Sequence, residues 1–304
     1  MLATFTKAQL AAAGPHDISD ALENGKIVVF PECPIGLPSA EDLEFLRQEM
    51  PKHLSSKNIS FHPEADKIIG IKGAREVIER AQRILKENNT RVQAFLKRAI
   101  PKLAENWMVG TASFRPLQER GRDLPAHASN ELVHVDAGAY GATHGDGIIR
   151  FFVNVNPVED RVWVTKGAFP DLYRRHGSQA GIVPDNGENG RAMDEGVFDK
   201  LRTSVSNGLS ALVPSAKFID SSPYDRAMRR FHNYMKDTPA FQSTPEGHQE
   251  FRFKPFQAWM VFTDRVSHAC LSGQHAFADT FVIRLGSCRL PEMAPINILK
   301  SRPA

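Results

Sequence analysis

A histidine stands two positions before a carboxylate at several places in the 304-residue chain, among them His62-Pro63-Glu64, His134-Val135-Asp136 and His144-Gly145-Asp146. In an extended segment, side chains at i and i+2 leave the same face, so either member of such a pair can reach one ion. Two imidazoles and one carboxylate on one face of an octahedron are the ligand set of non-haem iron(II) oxygenases, which keep the other positions for a bidentate co-substrate and dioxygen. Spacing alone is a weak sign, because a His and an Asp two apart also occur as a surface hydrogen-bonded pair. Context selects among the three. Pro63 disrupts strand geometry at the first pair and the third lies in a glycine-rich stretch, residues 138–147, whereas Glu131–Val135 has strand character. His134 and Asp136 are therefore the expected ligands.

The second imidazole must come from far downstream. His268 stands in Val266-Ser-His-Ala-Cys-Leu-Ser-Gly273, a strand-like run followed by another, where a jelly roll would return a ligand; its competing role is that of a hydrogen-bonded core histidine. Arg150 follows His134 by 16 positions, in the apolar run Ile148-Ile-Arg-Phe-Phe-Val153. A guanidinium in such a strand is expensive to bury unless an anion meets it. A carboxylate of 2-oxoglutarate is a natural bidentate partner, and a buried Asp or Glu is the alternative. Asn154, Thr280 and Arg284 are lesser candidates for the same co-substrate.

These residues need a scaffold of strands. Lys26–Phe30 reads as a short strand ended by Pro31, and Ser39 as the cap of a helix over Glu41–Met50. From Ala74 to Ile100 apolar residues recur at three- and four-residue steps, predicting an amphipathic helix broken at Asn88 and Asn89 with a solvated basic face. After Pro101 the chain turns to strands: Trp107–Arg115, Glu131–Asp136, Gly147–Asn156, Arg161–Thr165, Gln257–Thr263 and Ser267–Arg284, the last interrupted near Gly273. Ser178–Gly196 reads as a loop and Pro223–Lys236 as a helix with Met228, Phe231 and Met235 on one face. The expected fold is mainly β with helical additions (α+β), a double-stranded β-helix of the jelly-roll or cupin-like kind. It forms one domain, with a helical or mixed region over 1–105, the jelly-roll core over 106–290 and a tail over 291–304.

Composition agrees with that picture and removes others. Hydrophobic residues make up 41% and charged residues 24%, the range of an ordinary globular chain. Basic residues number 38 against 35 acidic, so the balance carries no nucleic-acid footprint, although a mildly basic surface suits an acidic substrate. Cys33, Cys270 and Cys288 form neither a CxxC pair nor an even framework, which points to a reducing compartment. The first 14 residues make a poor signal peptide, and no apolar run nears the roughly 18–20 residues that span a bilayer. The expectation is a cytoplasmic protein whose contact with membrane is at most peripheral, at the inner membrane surface.

Several stretches together resemble the Kdo hydroxylase family, which acts on 3-deoxy-D-manno-oct-2-ulosonic acid, the inner sugar of Gram-negative lipopolysaccharide. They include Ala21-Leu-Glu-Asn-Gly-Lys-Ile-Val-Val-Phe-Pro31, Lys57-Asn-Ile-Ser60, Thr111-Ala-Ser-Phe-Arg-Pro116, Leu132-Val-His-Val-Asp136, Arg150-Phe-Phe-Val-Asn-Val-Asn-Pro157, Arg161-Val-Trp163, Phe262-Thr-Asp-Arg-Val-Ser-His-Ala269, Leu271-Ser-Gly-Gln274 and Thr280-Phe281. The resemblance implies an iron(II)- and 2-oxoglutarate-dependent dioxygenase, with ascorbate as reductant in vitro. It would hydroxylate Kdo at C3, giving Ko, on a Kdo-bearing lipid A precursor, with His134, Asp136 and His268 as ligands. Asp185–Arg191, His275 and Asp279 depart from the family pattern. For the carboxylate of the acidic sugar, Arg115 is the first choice, with Arg120, Arg122 and Arg161 behind it.

Two other classes compete. A jelly-roll sugar-binding module would need a cationic, aromatic-lined cavity but no ligand triad. A zinc hydrolase could use the same two His and one Asp with an activated water, without needing Arg150 beside the metal. No Gly-x-Ser-x-Gly elbow marks a serine hydrolase.

Overall fold

The computed structural model describes residues 1–138, 141–183 and 222–301. The expected loop beyond residue 183 and the departures at Asp185–Arg191 lie outside the described residues. In chain order the first elements are β1 (Leu2–Thr4), α1 (Lys7–Ala12), α2 (Asp17–Glu23), β2 (Ile27–Phe30), α3 (Ala40–His53), β3 (Ile59–His62), β4 (Lys67–Ile69) and α4 (Arg75–Ala99). There follow β5 (Met108–Arg115), β6 (Gly147–Asn154), β7 (Arg161–Thr165), α5 (Phe169–His176), α6 (Pro223–Asp237), α7 (Pro239–Ser243), β8 (Gln249–Phe253), β9 (Ala258–Phe262), β10 (Ala269–Ser272), β11 (Ala276–Ile283) and α8 (Pro295–Lys300).

Two sheets hold the molecule together, one of eight strands in the order β1-β2-β9-β6-β11-β5-β3-β4 and one of three in the order β10-β7-β8. All pairs are antiparallel except β1 with β2. The first hundred residues are thus not a separate helical layer, since β1 to β4 extend the large sheet at both edges. Strand alternation divides its core in two. Phe151, Val153, Met260, Phe277 and Phe281 face the helices, packing with Ile84, Leu85 and Phe95 of α4. Phe152, Trp259, Val261 and Ala278 face the small sheet and meet Trp163, Phe253 and Cys270. Each large side chain so buried contributes about 1.5–3 kcal/mol. Arg150 shares the inward face of β6 with Phe152, and Thr280 stands opposite it in register.

Two local expectations are corrected. The helix over 75–99 runs without a break, because the amides of Asn88 and Asn89, 0% and 2% exposed, donate to the Asp279 carboxyl at 3.2 and 2.8 Å. A tertiary partner outweighs the modest helix penalty of asparagine. Glu131–Asp136 is extended but forms no strand of its own; its pairing is one isolated bridge, His134 with His268.

Candidate metal centre

That bridge builds the site. The backbone N–H of His134 donates to His268 O at 3.1 Å and the N–H of His268 to His134 O at 2.8 Å, while Asp136 N–H donates to Thr263 O at 2.8 Å. Val133 and Val135 are buried among α5, α6 and α8, so alternation sends His134 and Asp136 to the opposite side, toward the small sheet. His134, Asp136 and His268 each offer a ligand atom, and those atoms lie within 4.8 Å of one another; among the described residues no other such group forms. The pairs at His62 and His144 are not part of it. His144 instead lies 4.0 Å from the Asp225 carboxylate, and Asp146 is paired with Arg284.

Hydrogen bonds fix which ring nitrogens are free. His134 Nδ1 sits 2.7 Å from Leu132 O and His268 Nδ1 3.1 Å from Val266 O. A carbonyl only accepts, so each Nδ1 carries the proton and each Nε2 keeps its lone pair, the tautomer a metal requires. Burial pushes both imidazoles down, His134 to about 3, against the opposing pull of the Asp136 carboxylate, and so keeps them neutral. Asp136 Oδ1 faces His134 Nε2 at 3.6 Å and Oδ2 faces Arg150 Nε at 2.9 Å. Burial alone would raise the Asp136 carboxyl, but the Arg150 guanidinium and the His134 contact hold it well below the usual carboxylate range. Two neutral nitrogens and one anionic oxygen fit a divalent first-row ion, and the donor set is hard enough for iron(II).

The triad opens into a cavity of about 230 Å³ that is also lined by Arg150, Arg115 and Arg161. Arg161, 1% exposed, pairs with Glu119 at 3.0 Å, and Arg115, 9% exposed, pairs with the same carboxylate at 3.2 Å. Burial would raise Glu119, yet Arg115 and Arg161 bring it down to about 2, so it stays ionised beneath both guanidiniums. Of the other residues singled out in the sequence, Asn154 is fully buried and spends its amide on Glu159 O and Phe253 O. Thr280 shares the face of Arg150 but does not line the cavity, and Arg284, half exposed, pairs with Asp146. Arg120 is exposed, and Arg122 donates to Lys57 O outside the cavity wall. Four candidates, Asn154, Arg284, Arg120 and Arg122, are therefore removed from the site by partners or position, and Thr280 stays at its margin.

Sequence reasoning passed over Lys57, Trp163, His232 and Lys236, all of which line the cavity. Lys57 donates to Ala128 O and Asn130 Oδ1, and burial with the Arg115 charge lowers its ammonium to about 8. Lys57 and Trp163 lie in stretches that carried the family resemblance, but neither sits at metal spacing. His232 and Lys236 are four apart on α6, a helix read only for its apolar stripe.

The family model for 3-deoxy-D-manno-oct-2-ulosonic acid (Kdo) hydroxylase matches residues 6–302. The chain belongs to the Kdo hydroxylase family. Among solved structures it is similar to the Kdo hydroxylase KdoO, a non-haem iron(II) α-ketoglutarate-dependent dioxygenase, in complex with α-ketoglutarate and iron(III). Identity is 26%, coverage 98% of this chain and 94% of that one, and the TM-score 0.77. The complex of that enzyme with succinate and iron(III) matches equally, and its cobalt(II) complex has a TM-score of 0.78 at the same identity and coverage. No curated protein matches the sequence significantly. The α+β jelly-roll expectation holds for this Kdo hydroxylase, and among its described residues no helix is long and apolar enough to cross a membrane.

Proposed function

We propose that this Kdo hydroxylase oxidises C3 of Kdo carried on a lipid A precursor, giving Ko, with iron(II) held by His134 Nε2, His268 Nε2 and Asp136 Oδ1. The observation that carries the reading is the pair of Nδ1-anchored imidazoles facing one carboxylate oxygen, beside two buried guanidiniums. When bound, iron(II) with 2-oxoglutarate and dioxygen supplies the oxidising chemistry, in which one oxygen atom enters the sugar and the co-substrate leaves as succinate and carbon dioxide.

The chain's own part is to bind and orient. Arg150 holds the Asp136 oxygen that faces away from His134, which fixes the carboxylate plane. That ion pair supports the second of the two readings the sequence left open, with Asp136 as the anion that meets Arg150. The distal carboxylate of 2-oxoglutarate then falls to Arg115 and Arg161, which Glu119 holds in place and which are buried too deeply to await a sugar on a lipid. A cavity of about 230 Å³ is small for a ligand pocket and suits a five-carbon diacid with part of the sugar beyond it. Such an arrangement favours an oxygenase over a zinc hydrolase, which needs no second anion site beside the metal, and over a sugar-binding module, which needs no ligand triad.

The test is co-substrate turnover. Purified protein with iron(II) and ascorbate should release succinate from 2-oxoglutarate, faster when a Kdo-bearing lipid A precursor is added. Asp136→Ala should lose that release together with iron retained on dialysis. Release undiminished in Asp136→Ala would remove the triad from the reaction.

A further inference from the structure

The cavity wall is nearly all hydrogen-bond donors. Lys57, Arg115, Arg150, Arg161 and Lys236 line it as cations. Acceptors are few and mostly engaged. Asn130 Oδ1 accepts from Lys57, His127 Nε2 meets Asp237 at 2.7 Å, and Asp136 is paired with Arg150. Asn58 Oδ1 has no partner, but it is sealed from solvent and so from any ligand. Carboxylates are well served by such a wall. A polyhydroxy acid also brings hydroxyl hydrogens, and each one buried without an acceptor weakens binding.

His232 is the exception. It projects from α6 beside Phe231, which anchors that helix in the second core, and it lines the cavity. Its Nδ1 lies 2.7 Å from Val135 O, the carbonyl between the two ligands His134 and Asp136, so Nδ1 is the protonated nitrogen. In the neutral ring the other nitrogen, Nε2, is an acceptor, and it makes no hydrogen bond with any described residue. The ring stands edge-on to His134, centroids 5.1 Å apart at 79°, while His134 and His268 are 4.7 Å apart. A hydroxyl bound at His232 would therefore lie next to the metal position, not at the Arg115 and Arg161 end.

We infer that His232 is a substrate-positioning residue, whose Nε2 accepts a hydrogen bond from a sugar hydroxyl near the carbon that is oxidised. The inference rests on the hydroxylase reading above and deepens it. The substrate is held at two poles, its acid group by the cationic wall and a hydroxyl by His232. A polyol lacking that hydroxyl binds without presenting the correct C–H bond. Misplaced substrate in an oxygenase of this kind lets co-substrate decarboxylation run without hydroxylation, so the coupling ratio reports the contact.

The experiment compares wild type, His232→Asn and His232→Gln. Asparagine places an amide where Nδ1 was and keeps the donor to Val135 O, but has no acceptor at the Nε2 position. Glutamine can return an acceptor there. Iron(II) retention and 2-oxoglutarate binding should stay near wild type in His232→Asn, while hydroxylated sugar per succinate falls about five- to tenfold, the worth of one net hydrogen bond. His232→Gln should recover part of the coupling. An unchanged ratio in His232→Asn, or a loss of iron and co-substrate binding that accounts for its whole defect, would overturn the inference by making His232 structural or irrelevant. Wild type that binds iron and 2-oxoglutarate but shows no turnover dependent on Kdo would instead overturn the substrate reading, and this inference with it.

Discussion

At the scale of single residues, the proposed roles separate metal holding from anion holding. Arg150 touches the ligand carboxylate, whereas Arg115 and Arg161 share Glu119 at the buried side of the cavity. Conservative substitutions should split accordingly. Arg150→Lys keeps the charge but loses the planar fork over Asp136, so we expect weaker iron retention with a co-substrate KM changed by less than about threefold. Arg115→Lys should raise the 2-oxoglutarate KM about tenfold or more while iron retention is unchanged, the loss of one charge-assisted hydrogen bond. Steady-state kinetics with metal analysis checks both, and the reverse pattern would return the distal carboxylate to Arg150. Much of this was legible in the sequence. The i, i+2 rule and the glycine and proline context chose His134 and Asp136 from three pairs. What the sequence could not convey is partner choice. An Arg in an apolar strand announces an anion without saying whether it is a ligand or a side chain, and here Asp136 lay 14 positions upstream. Asn154, a lesser candidate on the same strand, has its amide taken by two backbone carbonyls.

At the scale of elements, the long helix α4 is tied to the large sheet by a polar contact in an otherwise apolar interface. Asp279 of β11 is fully buried, faces the amides of Asn88 and Asn89, and is pushed by burial up to about 7. Asn88 Oδ1 has no partner, and an amide turned over would give it the proton of a neutral Asp279 carboxyl. The sign follows from linkage. The folded chain holds a proton that the unfolded chain releases near pH 4, so stability falls as pH rises from about 4 to about 7, and levels off above. Asp279→Asn removes the titration. The Tm of wild type should decline between pH 5 and 7, and that slope should flatten in Asp279→Asn; parallel slopes would show that the carboxyl is not the group responsible. This cluster also explains the helix break that the pair Asn88-Asn89 predicts and the protein lacks. Local propensity was read correctly, but the partner that overrides it comes from 190 positions away. The segment over 131–136 missed its strand for the opposite reason. Its alternation is real, yet its backbone hydrogen bonds go to His268, just before β10 of the small sheet, and to Thr263, just after β9 of the large one, with no ladder to continue.

At the scale of the whole molecule, two sheets face each other across an apolar core of Phe152, Trp163, Trp259 and their neighbours; His268 sits where the chain crosses from β9 to β10, and the β5–β6 connection brings His134 and Asp136 beside it. The order of short strands made that architecture readable, because Gly and Pro punctuated runs whose alternation was already two-sided. The mixed first third was less readable, since its edge strands join a sheet whose centre lies more than a hundred residues away, and no local pattern states that pairing. The Kdo hydroxylase family match over 6–302 and the solved relatives at 26% identity agree with this arrangement from end to end. The central claim is that His134, Asp136 and His268 support insertion of one oxygen atom into Kdo at the expense of 2-oxoglutarate. Mass spectrometry of a Kdo-bearing lipid A precursor, incubated with the purified protein, iron(II), ascorbate and 2-oxoglutarate under isotopically labelled dioxygen, tests it most directly. The account predicts one labelled oxygen on the Kdo portion, at C3, with one succinate formed per product, and no such product from Asp136→Ala or without 2-oxoglutarate. Unlabelled product, or labelled product that persists when either the carboxylate ligand or the co-substrate is removed, would contradict it.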